Sequence, residues 1–338
     1  MKLIICLESY KGRETNGYYL AEELSNKFNT KIVYGSGNIY IIKFLEKISF
    51  KLRIPLFFNF YNFRILFKTF CFNPDLVLIL KGNYIWPCTL LILKFLKKKV
   101  VCWSNDNYRF KHNRSLFLEY SLGLYDKILY HKPRDLKYLE KFNKKNNIKL
   151  LIHSYSPRYH YPEYSKEKSN IEILFIGTCE TYRDSILANL ALDGYKMHVQ
   201  GTKWQNSKLK KVISEFKLKN CNLINKNTNK SEYRILMSSS KIVLNFFRRQ
   251  NNDEINSRVI ESLACSAISL CEYSKYSYKI FKKDKCINFF KDDNELREKI
   301  KKLLNLQKNE INTLRKKSLK AVQEKKLDFY NNIIMHLN

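Results

Sequence analysis

Two short phrases carry most of the chemistry that this chain's residues could perform. The first is Ile176-Gly177-Thr178, which closes an apolar run, with Arg183 shortly after it. A glycine at a strand end lets a ligand approach the backbone. A helix starting behind it offers free N–H groups and the positive end of a dipole, and an arginine there adds a fork for phosphate oxygens. A tight turn with a surface arginine would leave the same letters. The second phrase is NSRVIESLA, residues 256–264. Ser257 reads as a helix N-cap, which sets Arg258 and Glu261 three apart in the first turn. A carboxylate so placed can accept two hydrogen bonds from a vicinal diol such as ribose; compensation of the helix dipole is the competing account. Asp253 precedes Glu261 by a short loop that could bring both to one ligand.

The first half of the chain offers less. Residues 103–107 (WSNDN) follow a predicted strand and set Asp106 on a strand-to-helix loop, and Lys81-Gly82 takes an equivalent place after another strand. His160 stands in YSPRYHYP, residues 155–162, and a lone histidine is more often structural than catalytic. Gly35-Ser36-Gly37 is not continued into G-x-G-x-x-G, and there is no G-x-x-x-x-G-K-[ST], which counts against dinucleotide oxidoreductases and P-loop NTPases. No Asp-x-Asp falls in a suitable loop and no histidines or cysteines have ligand spacing, so no metal is expected.

These residues need elements to hold them. Short apolar runs alternate with longer amphipathic ones, the pattern of βαβ units and a parallel sheet covered on both faces. Strands are expected over 3–6, 31–34, 76–80, 100–103, 127–130 and 150–152, with helices between them such as 18–28, 90–96 and 134–142. The pattern breaks at YPEYSKEKSN, residues 161–170, where a linker is expected. It resumes with strands over 171–176, 197–200, 222–224, 242–245, 267–270 and 287–290, and ends in Lys-rich helices from about residue 294. The expected organisation is an N-terminal Rossmann-like domain over 1–162 and a C-terminal one over 170–338 with terminal helices. In such sheets ligands bind at the carboxyl ends of the strands, here in a cleft between the two domains.

Composition bounds the rest. The chain has 338 residues, 45% of them hydrophobic, which suits two packed cores rather than disorder. The net charge of +31 comes from lysine far more than arginine and is shared evenly between the halves, the imprint of an AT-rich genome more than of a nucleic-acid-binding face. Nine cysteines, an odd number without a C-x-x-C pair, point to a reducing cytosol and a cytoplasmic protein. No run is long and apolar enough to be a signal peptide or a spanning helix. Residues 39–72 mix Ile, Leu, Phe and Tyr with Lys43, Lys47, Lys51, Arg53, Arg64 and Lys68. They read as core-facing helices with solvated lysines, or as a basic amphipathic surface lying on an anionic membrane.

Taken in order, FIGT (175–178) with Arg183, GTKW (201–204), SKIVLN (240–245) and NSRVIESLA (256–264) resemble the spore-maturation-protein-like glycosyltransferases, a GT-B group similar to glycosyltransferase families 1 and 4. PDLVLILKG (74–82) and VCWSNDN (101–107) fit the same resemblance, which covers roughly residues 74–300. It implies two Rossmann-like domains facing a cleft, no tightly bound cofactor, and a nucleotide-diphosphate sugar as donor substrate. The acceptor would be a cell-surface glycan or a lipid-linked molecule, and transfer would be metal-independent and retaining. Gly177, Thr178, Arg183, Arg258 and Glu261 would bind the donor, Glu261 through its ribose. Asp106, Asp253 and Arg183 would be the catalytic set. Asp253 stands where the first carboxylate of an E-x7-E element is a glutamate, which leaves open a member that binds glycan or partner without turnover.

Overall fold

The computed structural model describes residues 1–8, 15–35, 44–45, 48–49, 51–52 and 58–337. Gly37 and most of residues 39–57, including Lys43, Lys47 and Arg53, lie outside the described residues. The chain divides into two compact units, Met1–His153 with Phe329–Asn338, and Ser154–Asp328.

The first unit is a six-stranded parallel sheet: β1 Lys2–Leu7, β2 Asn29–Tyr34, β3 Leu76–Leu80, β4 Lys99–Ser104, β5 Lys127–Tyr130 and β6 Ile148–Leu150. Its strand order is β2-β1-β3-β4-β5-β6. Side chains alternate across it, so Ile4 and Cys6 enter one core and Leu3, Ile5 and Leu7 the other. Both faces are covered, which is why the strands read as unbroken apolar runs. The order reverses between β1 and β3, which opens a crevice at their carboxyl ends.

The second unit repeats the plan with β7 Ile173–Ile176, β8 Met197–Gln200, β9 Cys221–Ile224, β10 Ile242–Asn245, β11 Ser269–Glu272 and β12 Ile287–Phe290. The order is β12-β11-β10-β7-β8-β9, with the reversal between β7 and β10. Residues Ile173 and Phe175 face one core, Leu174 and Ile176 the other.

The expected boundaries shift at both ends of the second half. The units part between His153 and Ser154, before the expected linker. Residues 161–170 pack within the second unit: the backbone N–H groups of Glu163 and Ser165 donate to the hydroxyls of Ser238 and Ser239, and Glu163 pairs with Arg234. The stretch is polar because its partners are polar, not because it is a free linker. The last helix, Phe329–Leu337, belongs to the first unit. Phe329, Ile333 and Leu337 fill the core beside β1, and Lys99 and Lys127 donate to the carbonyls of Leu337 and His336. Cations at a helix carboxyl end complement its dipole. All nine cysteines are free thiols. Among the described residues, no helix is long and apolar enough to cross a membrane, and no group of three or more His, Cys, Asp or Glu could hold a metal ion.

Candidate functional site

In the second unit the two phrases meet at the crevice between β7 and β10. Gly177 follows β7 directly, and its N–H donates to the Gln200 carbonyl at 2.8 Å. A side chain there would force its neighbours to shift. A Cβ on Gly177 would lie 2.8 Å from Phe175 Cζ and 3.0 Å from Arg258 Nη1. The glycine therefore makes room for the Arg258 guanidinium, which donates through Nη1 to the Ile176 carbonyl. Arg258 Nε is buried and has no partner among the described residues, a donor left over beside the turn.

The GTKW phrase buttresses this turn. A Cβ on Gly201 would come within 1.9 Å of the Gly177 oxygen, so only glycine lets the two backbones pass. Trp204, fully buried, donates its indole N–H to the same Gly177 oxygen at 2.9 Å. Thr178 and Thr202 bring their hydroxyls to 3.3 Å, and the Cys179 N–H donates to the Thr202 carbonyl at 2.9 Å.

Arg183 lies in the first turn of the helix Thr181–Leu192 and is buried. Its Nη1 donates to the Thr178 carbonyl at 3.3 Å, its Nη2 to Glu180 at 3.2 Å, and the guanidinium sits over the Phe175 ring. It braces the 178–180 turn from within. Burial lowers its pKa, opposed by Glu180, and the positive charges of Arg248 and Arg258 lower it further. The more exposed cations are Arg248 and Arg249, which follow β10. Arg248 Nε stands 3.4 Å from the other Glu180 oxygen, and Arg249 pairs with Glu272, the last residue of β11. The second Glu272 oxygen accepts the Phe247 N–H at 2.9 Å. Three arginines thus pair with two carboxylates, and the charge of Arg258 is felt at Arg183, an electropositive cluster with forks suited to phosphate oxygens.

Glu261 is set differently from the expectation. Asn256, not Ser257, caps the helix Ser257–Ala264, its Oδ1 accepting the Val259 N–H at 3.1 Å. Glu261 then falls beyond the first turn, and dipole compensation no longer accounts for it. Its Oε2 accepts the Tyr233 hydroxyl at 2.5 Å. Tyr233 belongs to the helix Lys230–Ser239, and burial with the nearby Glu261 charge pushes its pKa well up. His160 packs edge-on to the Tyr233 ring, and its Nδ1 accepts the Ser156 N–H at 3.1 Å. Burial pulls its pKa down against the pull of Glu261. His160 thus stands behind the carboxylate and supports the ring that holds it. Asp253 lies on the turn after Arg249, with its N–H donating to the Arg248 carbonyl at 3.2 Å.

Asp106 lies in the first unit, at the crevice between β1 and β3. It forms an ion pair with Lys81 at 2.8 Å, and its N–H donates to Ser104 Oγ. Lys81 and Gly82 both take left-handed backbone, with φ of 71° and 83°, an unusual pair at a strand end. A Cβ on Gly82 would lie 2.7 Å from the Tyr125 hydroxyl. Glu8, just past β1, completes the group. Its Oε1 accepts the N–H groups of Asn83 and Tyr84. Loss of solvation pushes its pKa up to about 7, although Lys81 and the two N–H donors pull it back.

Beside the expected Gly177, Thr178, Arg183, Asp253, Arg258, Glu261 and Asp106, the fold sets six residues that the sequence reading passes over: Glu8, Glu180, Tyr233, Arg248, Arg249 and Glu272. Four of these, Glu8, Arg248, Arg249 and Glu272, end or closely follow strands, so the rule that ligands sit at strand carboxyl ends would have pointed to them. Glu180 and Tyr233 carry no such signal.

Residues 183–329 match a family model described as glycosyl transferase-like. No curated protein matches the chain. Among solved structures, sucrose-phosphate synthase from Thermosynechococcus elongatus is similar at 12% identity, with 99% of this chain and 97% of that one covered and a TM-score of 0.67. A glycosyltransferase from Rickettsia africae gives 14% identity, 99% and 96% coverage and a TM-score of 0.67. Anabaena HepE in complex with UDP gives 11%, 99% and 98%, and 0.62. At these identities the likeness is one of fold: the chain is a two-domain α/β protein of the Rossmann-like, GT-B class.

Proposed function

We propose that this chain is a glycosyltransferase that takes a sugar from a nucleoside-diphosphate donor and passes it to a cell-surface glycan or a lipid-linked acceptor. The observation that carries the reading is the gathering of Arg183, Arg248, Arg249 and Arg258 at the carboxyl ends of β7 and β10, with the Tyr233-held Glu261 on the same helix as Arg258. In the reaction the bond from the anomeric carbon to the diphosphate oxygen breaks, and its electron pair leaves on the diphosphate. An acceptor hydroxyl oxygen bonds the anomeric carbon and passes its proton to the departing diphosphate oxygen. Preorganised guanidinium groups stabilise the departing charge, at no cost in reorganisation when the bond breaks.

In this reading Gly177 and Thr178 let the phosphates close on the backbone, Arg258 and the exposed arginines neutralise them, and Arg183 braces the turn. Glu261 takes the ribose diol, Asp253 faces the sugar, and Asp106 with Lys81 and Glu8 serves the acceptor. The reading includes metal-independent, retaining transfer within the spore-maturation-protein-like group, and a peripheral position at the inner face of a membrane. The glycosyl transferase-like match over residues 183–329 supports the glycosyl-transfer part of it. HepE, of the same fold, was solved with UDP and with UDP-glucose, which makes uridine nucleotides the first to try.

The test is titration calorimetry with uridine, adenosine and guanosine diphosphates and their sugars, on the wild type and on Glu261→Ala. One nucleotide family binding the wild type and not the variant supports the donor site; none binding refutes it. Turnover, the anomeric configuration of the product by NMR, and activity after chelation then decide the finer points. Tight nucleotide binding without turnover would decide for the binding-only member.

A further inference from the structure

The helix Asn59–Phe72 is amphipathic the wrong way round. It buries Tyr61, Asn62, Ile65 and Thr69, and it leaves Phe60, Phe63, Phe67 and Phe70 to solvent, Phe70 at 80% exposure. The spacing of the four phenylalanines puts them on one helical face. The inward face is fixed by polar contacts. Asn62 Nδ2 donates to the carbonyls of Phe58 and Tyr84, and its Oδ1 accepts the Trp86 N–H and the Thr89 hydroxyl, each at 2.9 Å. The helix therefore cannot roll to hide its aromatic face without breaking this set.

The neighbouring helix, Pro87–Phe95, packs against it and adds Leu91, Ile92 and Phe95, the last 86% exposed. Lys94, 3.7 Å from Asp126, and Lys97 stand exposed at its carboxyl end. Neither 47–74 nor 86–99 contains a single Asp or Glu. The two helices thus present a surface aromatic and aliphatic at its centre and basic at its edge, and contribute no negative charge to it. That combination fits the headgroup boundary of an anionic bilayer, where phenylalanines enter the acyl region and lysines meet lipid phosphates.

We propose that the face formed by Phe60, Phe63, Phe67, Phe70, Leu91 and Phe95 docks the first unit on an anionic membrane surface. The core-facing account of this helix holds for one of its faces, and the other is the docking face. The loop from Asn83 to Trp86 links the face to chemistry: Asn62 holds Tyr84 and Trp86, while Glu8 accepts the N–H groups of Asn83 and Tyr84. Docking would present a lipid-linked acceptor to the Glu8–Lys81–Asp106 group. Only that last step rests on the transferase reading; the membrane assignment stands on the surface itself.

The test is flotation with vesicles of phosphatidylcholine alone and of phosphatidylcholine with phosphatidylglycerol, at low and high salt. The proteins are the full chain, the triple variant Phe63→Ser, Phe67→Ser, Phe70→Ser, and the double variant Lys94→Gln, Lys97→Gln. Circular dichroism checks the fold, and calorimetry with a nucleoside diphosphate is run on each. The expected result is binding to the anionic vesicles that the triple variant weakens about tenfold or more at unchanged circular dichroism, with a smaller loss in the lysine variant. Three results would overturn the proposal. The wild type fails to bind anionic vesicles at low salt. The triple variant binds as the wild type does and both are released by salt, which assigns binding to the diffuse charge. Light scattering shows a wild-type dimer that the triple variant dissociates, which assigns the face to a second copy. Vesicle binding without nucleotide binding upholds this surface and refutes the transferase reading.

Discussion

The indole N–H of Trp204 donates to the carbonyl oxygen of Gly177 at 2.9 Å. The bond joins two phrases far apart in sequence, and it holds still the turn over which Arg258 reaches the Ile176 carbonyl. Trp204→Phe would keep most of the packing and remove the donor. A buried carbonyl left without its partner costs about 1–3 kcal/mol. Urea unfolding of the variant should show a loss in that range, accompanied by weaker nucleotide binding. An unchanged midpoint would mean that water or a neighbouring donor replaces the indole.

Gly201 gives a sharper version of the same experiment. Gly201→Ala places a methyl where the Gly177 oxygen already lies, 1.9 Å away. The backbone must move, and the expected cost is about 2 kcal/mol or more. The check is thermal unfolding of Gly201→Ala beside Gly194→Ala, whose added Cβ meets nothing within 4 Å. Gly194 has φ of 89°, so the comparison separates backbone strain from collision.

Tyr233 holds Glu261, and the two should separate binding from folding. Tyr233→Phe removes the hydroxyl that Glu261 accepts. The carboxylate then loses its aim but keeps its charge, so nucleotide affinity should fall about tenfold. Glu261→Gln should fall further, because the amide presents only one acceptor to a diol. Calorimetry of the two variants checks the order. Tyr233→Phe without effect would remove Tyr233 from the site.

The arginines differ in what they are free to do. Arg249 is well exposed and Arg183 is buried against Glu180 and the Thr178 carbonyl. Arg249→Ala should weaken nucleotide binding about tenfold, with less effect on stability. Arg183→Ala leaves Glu180 with Arg248 alone and opens the turn, so it should lower stability by about 2 kcal/mol. Denaturant unfolding and calorimetry on both variants test the division.

Glu8 and His131 set opposite pH dependences on the first unit. Glu8 in the folded chain has its pKa pushed up to about 7, chiefly by lost solvation. The folded state keeps that proton where the unfolded state has released it, so this contribution to stability falls as pH rises from the ordinary carboxyl range through about 7. His131 is buried, donates its Nδ1–H to the Ser104 carbonyl, and has its pKa pulled down to about 4 by burial. Its contribution is complete above the ordinary histidine pKa and is lost as pH falls toward 4. Glu8→Gln should therefore flatten the loss between about pH 5 and 7, and His131→Phe the loss between about 6.5 and 4, in unfolding midpoints measured across pH.

Much of the architecture was legible from apolar runs. Residues 76–80, 127–130, 197–200, 242–245 and 287–290 form strands at the expected places. Two strands slipped by two residues. The strand expected at 150–152 is Ile148–Leu150, and the one expected at 267–270 is Ser269–Glu272. In both cases apolar residues beside the strand are buried by other contacts: Leu151 packs beneath the last helix, and Ala267 lies in the core beside Ile176. The helix expected over 134–142 is a single turn, Leu136–Leu139, after a tighter turn at Pro133–Asp135.

The sequence by itself determined the doubly wound plan, since only a sheet covered on both faces makes such short, wholly apolar strands. It also marked the phrases to look at, because glycine and arginine at strand carboxyl ends stand where such sheets take ligands. Tertiary structure decided what those residues do. Gly201 is fixed by the Gly177 backbone, Gly177 by the Phe175 and Arg258 side chains, Glu261 by a tyrosine on another helix, and Glu8 by lysine and N–H groups of a distant loop. It also decided that Asn62 points inward and four phenylalanines outward, which composition and helical period cannot show. Spacing along a chain fixes which side chains share a face; what that face meets depends on elements that arrive from elsewhere in the fold.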